Sequence, residues 1–202
     1  MCSRPKVSPP PPDFNHAILC LLGKKVSGTR PGGLGSYYSP GDTRPLSIVN
    51  TDNRIMASAV RLQLEPVLSR WISPAQRGFL RGRSMVANIL DMELESRLMG
   101  YLHRQASMIF FDFKAAFPSV SHAFMWAVLE HIGLPQAYLR FLRRLYCGNV
   151  QRVRMGSYLS KGFLAESGVR QGCPISPLIF ATVIDILLRR LVRVYEGIHL
   201  RA

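Results

Sequence analysis

The sequence predicts an α+β fold, helix-rich with a small antiparallel sheet. Three observations lead there. Apolar residues recur at helical spacing in five separate stretches between Thr51 and Tyr195. Val150–Met155 and Gly162–Val169, separated by Gly156-Ser157, read as a hairpin. Met108–Phe113 is a short, aromatic-rich and almost wholly apolar run, which suits a central strand covered on both faces.

The elements follow in order. Residues 1–13 hold five prolines, four of them at 9–12, and read as an extended or disordered tail. Phe14–Leu22 forms a short element stopped by Gly23. Residues 23–43 contain six glycines with Lys24, Lys25 and Arg30, a flexible basic loop. These glycines lack the following Gly-Lys-Ser/Thr of a phosphate-binding loop. Thr51 or Asp52 caps a helix whose buried face is expected at Ile55, Ala59 and Leu62. Gln76–Arg83 is a turn. Ser84 caps a helix with an apolar stripe at Val86, Leu90, Leu94 and Leu98. Ser121 caps another through Phe124, Val128 and Ile132, stopped by Gly133 and Pro135. The Pro135–Tyr146 helix buries Leu139, Leu142 and Leu145 and shows Arg140, Arg143 and Arg144 outside. Pro177–Tyr195 is a mostly apolar helix.

Composition narrows the function. At 202 residues and 48% hydrophobic content the chain can bury a core, so wholesale disorder is not expected. The most apolar window, Pro177–Leu188, is too short for a membrane span and contains Asp185, so no membrane role is expected. The N-terminal residues have no apolar segment of the secretory type. Cysteines at 2, 20, 147 and 173 have neither zinc nor disulfide-frame spacing, and a reducing compartment is the default. The five histidines show no ligand spacing. The net charge is +14, and 21 of the 26 basic residues are arginine. Arginine forks bind phosphate bidentately and stack on bases, so nucleic acid is the natural partner.

Two constellations carry chemistry. Asp112 stands between Phe111 and Phe113. A lone carboxylate in such a run must be paired, protonated or on a metal, and an acid at a strand tip is one way to hold Mg²⁺. Pairing with Lys114 is the alternative. The second is Ser167-Gly-Val-Arg-Gln-Gly-Cys-Pro-Ile-Ser-Pro177, a rigid turn before a helix. There Gln171 can hydrogen-bond a base or a backbone, and Gly172 admits close approach to the main chain.

Taken together, four blocks in order resemble the reverse transcriptases of non-LTR retrotransposons and group II introns. Lys24-Lys25 with Arg44-Pro-Leu-Ser-Ile-Val-Asn-Thr51 resemble the fingers strands. Ile72-Ser-Pro-Ala-Gln-Arg-Gly-Phe-Leu-Arg-Gly-Arg83 resembles the Gln-x-Gly-Phe-x-x-Gly-Arg block. Phe111-Asp-Phe-Lys-Ala-Ala-Phe117 resembles motif A, and Gly168–Leu178 resembles motif B. The resemblance covers about residues 14–200. It implies a right-hand polymerase fold: fingers-like region 14–107, partial palm 108–202. It implies RNA-directed DNA polymerase activity on an RNA template, a DNA primer and dNTP, with a two-ion Mg²⁺ site. Asp112 would be the metal-binding catalytic carboxylate. Phe117 would be the ring that excludes a 2′-hydroxyl, with simple core packing as the alternative. Gln171 and Gly172 would line the nucleotide pocket, and Lys24, Lys25 and Arg44 would clamp the triphosphate. Arg77, Arg81 and Arg83 would contact template or primer, and Arg140, Arg143 and Arg144 would help hold nucleic acid. The physics suits these roles, because phosphoryl transfer depends on positioning and charge stabilisation.

Two departures matter. The family's second acidic motif, an Asp-Asp hairpin after motif B, has no counterpart, because the chain contains no Asp-Asp pair. Pro118 also stands where an Asp often follows the motif A aromatic. The expectation is a domain incomplete at its C-terminus that lacks measurable primer extension by itself. The alternative is a non-catalytic basic module that binds RNA or DNA.

Overall fold

The computed structural model describes residues 10–102, 105 and 107–194. Residues 1–9 of the proline-rich tail and Tyr195 of the last expected helix lie outside these. The remaining tail residues lead into a turn, where Phe14 N donates to Pro11 O (3.0 Å).

The fold is α+β. β1 (Ala17–Gly23) pairs antiparallel with β4 (Thr43–Val49) and parallel with β5 (Val150–Met155), giving the order β4-β1-β5-β6. β6 (Tyr158–Leu159) and β7 (Phe163–Leu164) both pair antiparallel with β5. The hairpin expected across Gly156-Ser157 is there, split into two short returning strands. The 23–43 loop holds a small separate hairpin, β2 (Gly28–Thr29) with β3 (Ser36–Tyr37).

The described residues form five α-helices: α1 (Thr51–Trp71), α2 (Met85–Tyr101), α3 (His122–His131), α4 (Gln136–Tyr146) and α5 (Ser176–Val194). Ser84 and Ser121 cap α2 and α3 as expected, each accepting a backbone N–H. α4 buries Leu139, Leu142, Leu145 and Tyr146 and exposes its arginines. The core centres on α5, where Leu178, Ile179 and Ala181 are fully buried against Met125, Leu129 and Leu142.

The sheet is mixed where an antiparallel one is expected, because β1 and β5 run parallel. Three further expectations are corrected. The inward face of α1 is Asn53, Ala57, Leu64, Glu65 and Leu68, while Ile55, Ala59 and Leu62 are exposed. Two polar residues on the inward stripe hid it. Asn53 donates to Phe14 O and Asn15 Oδ1, and Asn15 in turn donates to Arg144 O and Cys147 O at the end of α4. Second, α2 buries no residue, and its stripe of Val86, Leu90, Leu94 and Leu98 lies open. Third, Met108–Phe113 is an exposed segment without regular secondary structure and not a buried strand. An apolar run becomes a strand only where neighbouring strands take up its backbone groups. No strand among the described residues pairs with it.

Candidate nucleotide and template site

The turn of residues 167–175 is wedged between two other parts of the chain. On one side Gly168 N donates to Val120 O (2.7 Å) and Val169 N to Phe117 O (2.9 Å). Gly168 has φ +82, and a Cβ there would lie 2.7 Å from Pro118 Cα. On the other side Ser47 N on β4 donates to Gln171 O (2.8 Å). Gly172 has φ +108, and a Cβ would meet Ser47 O at 2.3 Å. The two glycines of the motif are therefore required by backbone-to-backbone approach. The turn thus joins the 117–120 segment to the edge of the sheet.

Beside this junction lies a cleft of ≈ 320 Å³. Its walls are Gln171, Ser167, Pro118 and the inner sheet face at Ser47 and Gln151. Buried polar groups floor it. Ser47 Oγ donates to Gln151 Oε1 (3.1 Å), and Gln151 Nε2 donates to Asn149 Oδ1 (2.8 Å). Arg170, in the same turn, is buried. Its guanidinium donates to Leu145 O and lies over the Tyr146 ring at 5.3 Å. Burial pulls the Arg170 pKa down, and burial pushes the Tyr146 hydroxyl up to about 12.

The other expected residues stand as follows. Asp112 is exposed, lies outside the cleft, and makes no ion pair with Lys114. No group of three or more His, Cys, Asp or Glu able to hold a metal occurs among the described residues. Asp112 alone suits one ligand position of a hydrated ion, and the described residues do not fit a two-ion site. Phe117 packs against Phe180 (4.6 Å between ring centres) and edge-on to Phe79 (5.8 Å). The backbone amides of Lys24 and Lys25 both donate to Asp42 O, and the two side chains lie at the exposed turn end of the β1–β4 pair. Arg44 is on β4, on the sheet face opposite Ser47.

The arginines divide. Arg83 is spent on the end of α1: its guanidinium donates to the carbonyls of Ser69, Ile72, Ser73 and Gln76 at 2.5–3.0 Å. Arg77 is paired with Asp91 at 2.5 Å. The Arg81 side chain is exposed while its amide donates to Glu65 Oε1 (2.9 Å). Arg143 pairs with Glu130 at 2.5 Å and sits over Trp126, whereas Arg140 and Arg144 are exposed.

The residues that position the site were not assigned from sequence. Arg61 on α1 donates both to Pro174 O (3.1 Å) in the 167–175 turn and to Phe79 O (3.5 Å). Glu65 anchors Arg61 at 3.2 Å. Burial raises the Glu65 pKa, but the Arg61 hydrogen bond, the Arg81 amide and both charges outweigh this and hold it below the usual range. Phe79 is held at φ +66, a conformation costly for a side chain of its size. Asp185, fully buried, accepts from Ser73 N with both oxygens (3.1 and 3.2 Å) and from Arg189 at 2.6 Å. The sequence signal was available: Asp185 is an acid inside an apolar helix, with arginine four residues on.

Comparison with known proteins gives a consistent result. The family described as reverse transcriptase (RNA-dependent DNA polymerase) matches residues 24–200. The Pol polyprotein of the type-2 retrotransposable element R2DM of Drosophila melanogaster is 30% identical over 152 residues, covering 75% of this chain and 14% of the relative. A transposon TX1 protein of 149 kDa from Xenopus laevis is 27% identical over 194 residues, 95% of this chain and 14% of the relative. The Pol polyprotein of a type-1 retrotransposable element R2 of Popillia japonica is 26% identical over 157 residues, 76% of this chain and 22% of the relative. The chain therefore spans between about a seventh and about a fifth of the length of these relatives.

Proposed function

Because the chain belongs to the reverse transcriptase family, as a domain of the non-LTR retrotransposon type, we propose that it forms the fingers and part of the palm of an RNA-directed DNA polymerase. The substrates are an RNA template, a DNA primer and dNTP. The reaction is attack of the primer 3′-hydroxyl on the α-phosphate, with pyrophosphate leaving. The observation that carries this reading is the junction at residues 167–175. There two glycines with positive φ let the turn touch β4 and the 117–120 segment at once, with Gln171 facing a polar-floored cleft.

In this reading Gln171, Gly172 and Pro118 form the wall against which a nucleobase pair stacks. Phe117, backed by Phe180 and Phe79, presents a rigid aromatic floor to the sugar. The resemblance gives Lys24, Lys25 and Arg44 to the triphosphate, with Arg44 on the sheet face away from the Gln171 cleft. Arg81, Arg140 and Arg144, all exposed, hold the nucleic-acid backbone without reading its sequence. Arg77, Arg83 and Arg143 act indirectly, through the carbonyls and carboxylates they bind. Reverse transcriptases use a divalent metal. When bound, Mg²⁺ neutralises phosphate charge, and Asp112 would provide one of its ligands.

The test is binding of a fluorescent dNTP to the purified chain with and without Mg²⁺. The expected result is Mg²⁺-dependent binding, at least tenfold weaker in Asp112→Ala and in Gln171→Ala, without primer extension by the isolated chain. A second reading, a non-catalytic basic nucleic-acid module, is favoured by the lack of a carboxylate partner for Asp112 among the described residues. Salt-steep RNA binding with no dNTP binding, indifferent to Asp112→Ala, would establish it instead.

A further inference from the structure

Arg170 is a cation for which the fold provides no acid. It precedes Gln171 in the 167–175 turn, is 4% exposed, and forms no salt bridge among the described residues. Its Nε and Nη1 find no protein partner there either. Arginine stays protonated when buried, so the charge itself is taken out of water. A buried charge without a carboxylate is a poor way to stabilise a fold. What offsets it is the end of α4. The guanidinium donates to Leu145 O, in the last turn of that helix, and lies 5.3 Å from the centre of the Tyr146 ring. A helix C-terminus carries partial negative charge, and an aromatic face attracts a cation most where water is excluded. Asn15 takes the neighbouring carbonyls of Arg144 and Cys147, so this helix end is itself held in place. Gln171 is thereby pinned from two directions. Its own carbonyl accepts from Ser47 N on β4 (2.8 Å), and the side chain of the residue before it is anchored on α4.

We propose that Arg170 is a positioning residue: it ties the 167–175 turn to the C-terminal end of α4 and so sets where Gln171 stands in the cleft. It acts through Gln171 and not on the ligand, because its guanidinium is engaged with Leu145 O and the Tyr146 ring. The role rests on the reading of this cleft as a nucleotide and template site. It differs from that of the two glycines. Gly168 and Gly172 permit the close approach of backbones, whereas Arg170 holds the turn once it is there. The consequence is that ligand affinity and stability come apart. An apolar side chain of similar length removes the buried charge and its desolvation, while the turn loses its tie to α4.

The test is Arg170→Met in the full chain, measured three ways: binding of a fluorescent dNTP with Mg²⁺, the urea midpoint, and hydrogen exchange at the Ser47 amide. Affinity should fall about tenfold, and the amide should exchange about tenfold faster, the effect of one lost hydrogen bond. The urea midpoint should stay level or rise. Arg170→Lys, which keeps the charge and a donor, should recover most of the affinity and protection. Adding Tyr146→Leu to Arg170→Met should weaken binding little further, because both act through one contact. Arg97→Ala, which removes a cation paired with Glu93 on α2, should change nothing. Wild-type affinity and Ser47 protection in Arg170→Met overturn the proposal. So does a loss of affinity that only follows a fallen midpoint, which is the mark of a merely structural residue. If Arg170→Met does not fold, NMR of the wild-type chain decides. Guanidinium protons of Arg170 that exchange slowly and are shifted upfield by the Tyr146 ring support the anchor, and rapidly exchanging, unshifted ones refute it. A wild-type chain that binds no dNTP defeats the polymerase reading alone, and Ser47 exchange in Arg170→Met still decides whether Arg170 holds the turn.

Discussion

Gly172→Ala is the most informative single substitution. The new Cβ would lie 2.3 Å from the Ser47 carbonyl oxygen, and both atoms belong to the backbone or are fixed to it, so no rotamer change relieves the contact. Reaching ordinary contact at 3.4 Å requires the turn and β4 to part by roughly 1 Å. That separation breaks the 2.8 Å hydrogen bond from Ser47 N to Gln171 O, worth about 1 kcal/mol. Holding alanine at φ +108 adds about 1–3 kcal/mol. The total, about 2–4 kcal/mol, corresponds to a fall in Tm of roughly 4–16 °C for a domain of this size. Hydrogen exchange at the Ser47 amide should accelerate, and dNTP affinity should fall with it because Gln171 is carried on the same turn. Gly41→Ala, with nothing within 4 Å of the new methyl, should leave all three unchanged. A Gly172→Ala protein with wild-type Tm and a protected Ser47 amide would refute this account of the junction.

Arg83→Lys should cost about 2–4 kcal/mol by urea denaturation, because an ammonium cannot reach the four carbonyls that the guanidinium serves. A cost below 1 kcal/mol would mean that the side chain is a surface contact. The Tyr146 hydroxyl, raised to about 12 against an ordinary value of 10, makes a contribution that is complete below pH 10 and is lost as the pH rises toward 12. Near 1.4 kcal/mol per unit, the loss approaches about 3 kcal/mol, and ionisation followed by ultraviolet absorbance should coincide with unfolding. Leu94→Glu on α2 should change stability by less than about 0.5 kcal/mol in thermal melts, since Leu94 is exposed and α2 buries nothing.

Local signals were legible in the sequence, and partnered ones were not. Ser84 and Ser121 cap their helices by contacts within three residues, which a reader of the chain can see. The buried face of α4 was legible because arginines mark the other side. The face of α1 was not, because Asn53 and Glu65 look like surface residues until their partners Asn15, Arg61 and the Arg81 amide are known. Met108–Phe113 carries a strand's composition, but pairing is a property of neighbours and not of composition. The resemblance alone assigns Arg83 to the template or primer backbone. The four carbonyls that claim it converge only because α1 ends beside the 76–83 turn. The turn that carries Gly168 and Gly172 is legible as a helix entry, while the surfaces the two glycines approach, Pro118 and Ser47, lie far from them in sequence.

Arg61 has one further consequence. A single guanidinium grips the carbonyl of Pro174 on one loop and that of Phe79 on another, with nearly a hundred residues of chain between them. The two loops are therefore tied through their backbones by one side chain, and loss of Arg61 releases both at once.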